Sequence, residues 1–207
     1  MAITTYSELK TAVANFLARS DLTTQIPDFI TLAEARMSRE LDTRTQEKRA
    51  QASTAASDEY ISLPTDLRKV RHVRINSDPV CVLDYAAPHD FYETYGSSGG
   101  GKPKFYTVIG AEIALRPVPD AVYTVEIIYG ETVSALSDSS ATNTILARHP
   151  DAYLYGALSA AHTYLMDEAR ANQYDAIFTR IMDEIKRDTE QQRYGGALAM
   201  KTDYRGV

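Results

Sequence analysis

The sequence predicts an α+β fold: a four-helix bundle made from an N-terminal and a C-terminal helix pair, an antiparallel β lobe inserted between them, and an extended C-terminal arm. Three observations predict it. Apolar residues recur with a helical period near both ends, they alternate with period two through the middle, and the last residues are too polar to form a core. Helices first, strands next and helices last is a segregated order, which excludes a doubly wound parallel sheet. The expected division is 1–45 with 145–194 for the bundle, 46–144 for the β lobe and 195–207 for the arm.

The C-terminal pair carries the clearest pattern. Pro150 suits a first helical turn, where its missing N–H costs nothing, and Asp151 favours the positive helix end. Leu154, Leu158, Ala161 and Leu165 then form one stripe, and Tyr174, Ile177, Phe178, Ile181 and Ile185 form a second. The polar stretch Asp167 to Asn172 predicts a turn or kink between them. Gly156, Ala157, Ala160 and Ala161 are small enough to let another helix come close.

At the other end Thr5 to Arg19 predicts a helix with Leu9, Val13, Phe16 and Leu17 on its buried face, and Thr5 with Glu8 has capping-box spacing. Pro27 opens a second helix whose stripe is Phe29, Ile30, Ala33, Met37 and Leu41. Its other residues, Glu34, Arg36, Arg39, Glu40, Asp42 and Arg44, mix both signs of charge, which describes a solvated face and also suits a contact between subunits.

From Gln46 the period shortens. Lys48 to Thr54 is a weak strand, Tyr60 to Leu63 a short one stopped by Pro64, and Arg71 to Ile75 a clearer one. Val80 to Leu83 predicts a short apolar strand, and Pro88 to Tyr95 a small helix with Phe91, Tyr92 and Tyr95 on one side. Phe105 to Ile109 and Glu112 to Arg116 flank Gly110, which supplies the positive φ of a hairpin turn. Tyr123 to Tyr129 is the best strand, and Ala135 to Thr144 is a polar connection back to the helices.

Composition narrows function by exclusion. The 207 residues carry a net charge of −6, which argues against a phosphate-gripping surface. No apolar run approaches the roughly 18 residues that span a bilayer, so no membrane role is expected. The start MAITTYSELKTA lacks the basic and apolar blocks of a signal peptide, and Cys81 is the only cysteine, which together point to synthesis in a reducing cytosol. The four histidines, His72, His89, His149 and His162, have no metal-ligand spacing. The glycine run at 96–101 precedes Lys102 without the Lys-Ser/Thr pair of a phosphate loop. No catalytic residue, cofactor or metal ligand is expected. An enzyme reading would have to assemble His149, Asp151 and His162 with help from a cofactor or neighbouring subunit. A nucleic-acid-binding module is the other alternative, disfavoured by charge.

Tyrosine is abundant, 14 against no tryptophan. Tyr85, Tyr92, Tyr95, Tyr106, Tyr123 and Tyr129 all fall in the expected β lobe, where core packing and an interaction surface are equally good explanations. After Gly195-Gly196, Leu198, Met200 and Tyr204 are spaced as anchors of an extended peptide, with Lys201 and Arg205 placed to meet acidic groups.

Three stretches together resemble the head-to-tail adaptor, or head-completion, proteins of short-tailed bacteriophages. The first runs through Tyr6-Ser7-Glu8-Leu9, Ser20-Asp21-Leu22, Gln25-Ile26-Pro27-Asp28-Phe29-Ile30 and Leu32-Ala33-Glu34-Ala35-Arg36-Met37. The second joins Leu63-Pro64-Thr65-Asp66-Leu67 to Gly101-Lys102-Pro103-Lys104-Phe105-Tyr106-Thr107-Val108. The third is Arg148-His149-Pro150-Asp151-Ala152-Tyr153-Leu154-Tyr155-Gly156-Ala157-Leu158, closed by Asp167-Glu168-Ala169-Arg170. The resemblance implies a structural protein of the virion neck, a closed ring of about twelve copies between portal protein and tail nozzle or fibre proteins, with DNA passing through unread. It also implies a C-terminal arm that docks on the portal, for which Leu198, Met200, Lys201, Tyr204 and Arg205 are the candidates.

Overall fold

The computed structural model describes residues 3–94 and 99–193, without the side chains of Thr45, Thr94 and Arg193. The fold is α+β, with six helices and two four-stranded sheets among the described residues. The chain divides into two compact units, Met1–Thr45 with Val133–Val207, and Gln46–Thr132.

The first unit is helical. Helix α1 spans Tyr6–Leu17, and its predicted capping box forms: the Glu8 N–H donates to Thr5 Oγ1 at 3.3 Å and the Thr5 N–H to Glu8 Oε2 at 3.0 Å. Hydrogen bonds from the Thr4 hydroxyl and N–H, with that from the Thr5 N–H, hold the Glu8 carboxyl down to about 2. Tyr6, Leu9, Ala12 and Val13 are buried, but Phe16 is 54% exposed, because the helix stops at Leu17 and Ala18 turns left-handed at φ 51°. Helix α2, Ile26–Glu40, has Pro27 in its first turn and buries Phe29, Ile30, Ala33 and Met37, with Leu41 just beyond its end.

In the second unit β1 (Glu47–Ser53), β8 (Thr124–Glu131), β3 (Leu67–Ile75) and β4 (Cys81–Val82) form one sheet in that order. β2 (Tyr60–Ser62), β7 (Glu112–Arg116), β6 (Phe105–Ile109) and β5 (Asp84–Tyr85) form the other. Ala50, Ile127 and Val73 share a cross-strand row, as do Ala52, Val125 and Ile75. These rows pack with Ile61, Ile113, Leu115 and Tyr106 of the second sheet in one apolar core. Gly110 makes the β6–β7 turn at φ 60°, the conformation the hairpin requires.

Two sequence expectations change here. The predicted strand Val80 to Leu83 is shortened to β4, and at Leu83, buried in the shared core, the chain crosses to β5 of the other sheet. The lobe is also not wholly antiparallel, since β5 runs parallel to β6. Helix α3, Pro88–Thr94, packs on β6 through the fully buried Phe91.

Returning to the helical unit, residues 133–144 differ from the expectation that put them in the β lobe. Val133 and Leu136 pack into the helical core, and Asn143 caps a short helix α4, Thr144–Arg148, that the polar sequence did not announce. Helix α5, Pro150–Tyr164, then packs against α1, α2, α4 and α6. Its stripe ends at Ala161, because Leu165 already lies past the helix. Helix α6, Glu168–Arg193, starts earlier than predicted: Met166 turns at φ 58°, and Asp167 Oδ1 accepts from the Arg170 N–H at 3.1 Å as a helix cap.

At Gly156 helix α5 lies against side chains of both α2 and α6. A Cβ there would stand 2.9 Å from Ala33 Cβ on α2 and 3.0 Å from Phe178 Cε2 on α6. Gly156→Ala gains about 1 kcal/mol of helix propensity but overpacks a site where the opposing Cβ is fixed by backbone, a cost of about 1–3 kcal/mol. The expected outcome in denaturant unfolding is net destabilisation. Ala33→Gly should cost less in the Gly156→Ala background than in the wild type.

Candidate functional site

No catalytic constellation forms from the residues the enzyme reading needs. His149 precedes α5 and Asp151 lies in its first turn, whereas His162 is near the opposite end of the same helix, about 20 Å away at 1.5 Å per residue. Burial holds the His149 and His162 rings below their ordinary value of 6.5. His162 stacks on Tyr174 with ring centroids 5.2 Å apart and its Nδ1 lies 3.7 Å from Asp167 Oδ2, the surroundings of a packed core histidine. Among the described residues no group of three or more His, Cys, Asp or Glu side chains is gathered that could hold a metal ion. Lys102 donates to Ser77 Oγ at 2.6 Å, and the Gly101 N–H donates to Val118 O at 2.8 Å. This part of the glycine-rich loop is engaged with the lobe itself.

What the helices do build is a set of fixed surfaces, and two polar clusters fix them. The first centres on Glu34, which the mixed-charge pattern assigned to a solvated face but which is only 6% exposed. Its Oε1 accepts from the Leu136 N–H at 2.8 Å and from the Tyr153 hydroxyl at 3.2 Å. Asn143 Nδ2 donates to the Tyr153 hydroxyl at 2.6 Å and to Ser134 O at 2.7 Å. The network thereby ties residues 134–143 to both α2 and α5. Burial pushes the Glu34 carboxyl above its usual value, against the lowering effect of the two hydrogen bonds.

The second cluster is a ladder between α2 and α6. Arg36 bonds Asp175, donates to Thr179 Oγ1 at 3.1 Å and to Glu40 Oε1 at 3.2 Å, and lies over the Phe178 ring. Lys186 Nζ donates to Glu40 Oε2 at 3.1 Å. Part of the charged face of α2 is thus used within the chain.

The surfaces left outward include an apolar tip. Leu32, Tyr164 and Met166 are exposed, Met166 at 90%, and all belong to the α2 face and the α5–α6 turn. In the β lobe the tyrosines divide: Tyr106 and Tyr129 are core, while Tyr85 and Tyr92 are exposed. Tyr95 and the expected arm residues Leu198, Met200, Lys201, Tyr204 and Arg205 lie outside the described residues. Sequence reasoning missed Glu34, although its position four after Ile30 and three before Met37 puts it on the buried stripe. It also missed Asn143, whose signal was an N-cap residue before Ile145 and Leu146.

A family model described as SU10 adaptor protein matches residues 4–201. The chain belongs to that family. It is a structural adaptor protein of bacteriophage, in agreement with the resemblance read from its motifs. No curated protein matches the chain. The match runs across both compact units, so the adaptor assignment covers helical unit and β lobe together. No helix among the described residues is long and apolar enough to cross a membrane.

The raised Glu34 carboxyl fixes a pH dependence. A carboxyl raised on folding leaves stability intact below the ordinary carboxylate range and lowers it as pH rises through the folded value. Glu34→Gln removes that penalty. The variant is therefore expected to gain stability relative to wild type between pH 4.5 and neutrality, measured by urea unfolding. A difference independent of pH would mean that Glu34 is not the titrating group.

Proposed function

We propose that this adaptor is a non-enzymatic ring component of the virion neck, joining the portal protein above to tail nozzle or fibre proteins below. About twelve copies close head to tail, and DNA passes through the bore without sequence-specific contact. Helices α1, α2, α5 and α6 act as a four-helix bundle, stiffened by the Glu34 and Arg36 clusters. The C-terminal arm, with Leu198, Met200 and Tyr204 as anchors and Lys201 and Arg205 as charged contacts, docks on the portal.

The observation that carries this reading is the family match over nearly the whole chain. The charge supports it, since a bore carrying net negative protein repels DNA phosphates and lets the duplex slide. The wide separation of His149 and Asp151 from His162 leaves the enzyme alternative without its constellation. Exposed Tyr85, Tyr92 and Met166 supply the large, partly apolar contact area that subunit interfaces use.

The test mixes purified chain with portal from the same virus and follows the mass by sedimentation velocity and the shape by electron cryo-microscopy. A ring seated on the portal is expected. A salt-sensitive complex with free DNA, or a monomer indifferent to portal, would overturn the reading. Deleting 197–207 should leave the melting temperature within about 2 °C of wild type, a shift below 1 kcal/mol for a chain of this size, while portal attachment is lost or weakened. Undiminished attachment of the truncated chain removes the arm from the docking role.

A further inference from the structure

The β lobe is electrically two-faced. The strands of its first sheet hold six Lys and Arg residues against three carboxylates. Register decides which of them face outward. Rows Ala50–Ile127–Val73 and Ala52–Val125–Ile75 point into the core, so Arg49, Ile128 and His72 share an outer row, as do Gln51, Glu126, Arg74 and Val82. Lys69 joins this outer face opposite Gly130, as does Glu47 from the other side, its Oε1 3.3 Å from Arg71 Nε.

Glu126 is the carboxylate at the centre of that face, and it is spoken for. Its side chain is 2% exposed, Arg74 Nη2 lies 2.6 Å from it, and Gln51 and Asn76 donate to it at 3.0 and 3.3 Å. Arg49 Nη1 is 3.8 Å away, too long for a hydrogen bond, and its side chain is 65% exposed. Arg49 and Lys69 therefore present outward charge beside the apolar Ile128 and Val82.

The second sheet with α3 has the opposite character. Phe91 seats α3 on β6, and Arg116 lies over the Phe91 and Tyr92 rings while pairing with Glu59 at 2.6 Å. Arg116 is on the outer side of this sheet, since its neighbour Leu115 is in the core. With Arg116 occupied by Glu59, α3 presents Asp90 and Glu93, the latter 71% exposed with His89 Nε2 3.1 Å from its Oε2, and Asp84 and Glu112 lie on the strands. Tyr92 supplies exposed apolar area among them.

These two faces lie on opposite sides of one core, so a single lobe cannot join them to each other. A symmetric pair that met through one face would put like charge against like. A second copy in head-to-tail orientation meets the complement, and such contacts must either close into a ring or propagate. We propose that the outer face of the β1-β8-β3-β4 sheet of one copy docks against the α3 face of the β lobe in the next copy, with Arg49 and Lys69 opposite Asp90 and Glu93. The proposal rests on the ring reading above and names the contact that closes it. The charged groups set orientation and register, and Tyr92 and Val82 supply the desolvated area.

The test uses full-length chain with portal at about 0.05 M salt, where screening is weak. Arg49→Glu and Glu93→Arg are each expected to weaken copy-to-copy association about tenfold, since reversal replaces one attraction by a repulsion in every contact. An equimolar mixture of the two variants, and the double variant, should both recover ring formation, because opposite charges meet again. Lys69→Glu with Asp90→Arg is the second pair, used if either first variant melts below the wild type. If wild type forms rings and both pairs leave them unchanged, or if mixing restores nothing, this docking contact is wrong and the ring reading stands. If wild type forms no ring on the portal, the ring reading itself falls and this contact with it.

Discussion

The helical unit depends on a steric permission granted at one position. Where α2, α5 and α6 cross, residue 156 has no side chain, and Ala33 Cβ and Phe178 fill the space that any Cβ would occupy. Interiors are packed too tightly to absorb a methyl group there without movement of a whole helix. The same separation of α2 from α6 puts Arg36 within reach of Asp175 and Thr179, and Glu40 within reach of Lys186. Half-exposed ion pairs of this kind contribute little individually. Their effect is to fix rotation of the helices about the close contact.

Glu34 plays a different part. A buried carboxylate is costly unless hydrogen-bonded, and here its acceptor oxygen is supplied by the Leu136 N–H and the Tyr153 hydroxyl. The cost is repaid in position: a polar stretch with no regular structure before Asn143 is held against two helices. That stretch belongs to the helical unit and leads into α4. An apolar residue at 34 would pack, but it would leave the Leu136 N–H and the Tyr153 hydroxyl without their acceptor.

In the β lobe the controlling event is the crossing at Leu83. Anchoring one buried leucine between β4 and β5 joins the two sheets around a common core and gives each an outer side. The unequal charge of those outer sides then follows from strand membership. β3 is rich in arginine and lysine and belongs to the first sheet, whereas Asp84 and the acidic α3 belong to the second.

The α+β class, both terminal helix pairs, the capping box at Thr5 and Glu8, and the strands flanking Gly110 were determined by sequence alone, because each rests on local periodicity or on a residue with one conformational role. The family was legible too, through motifs spread from Tyr6 to Arg170. Only the tertiary structure decided the fate of Glu34, the crossing between sheets at Leu83, the attachment of 133–144 to the helices, and which tyrosines are core. The reason is common to all four. A polar residue on a buried stripe reads as an error until its partner, distant in sequence, is in place. A short apolar run fits either sheet until the opposing strands exist. Burial of a tyrosine depends on what covers it, and local period carries no information about that.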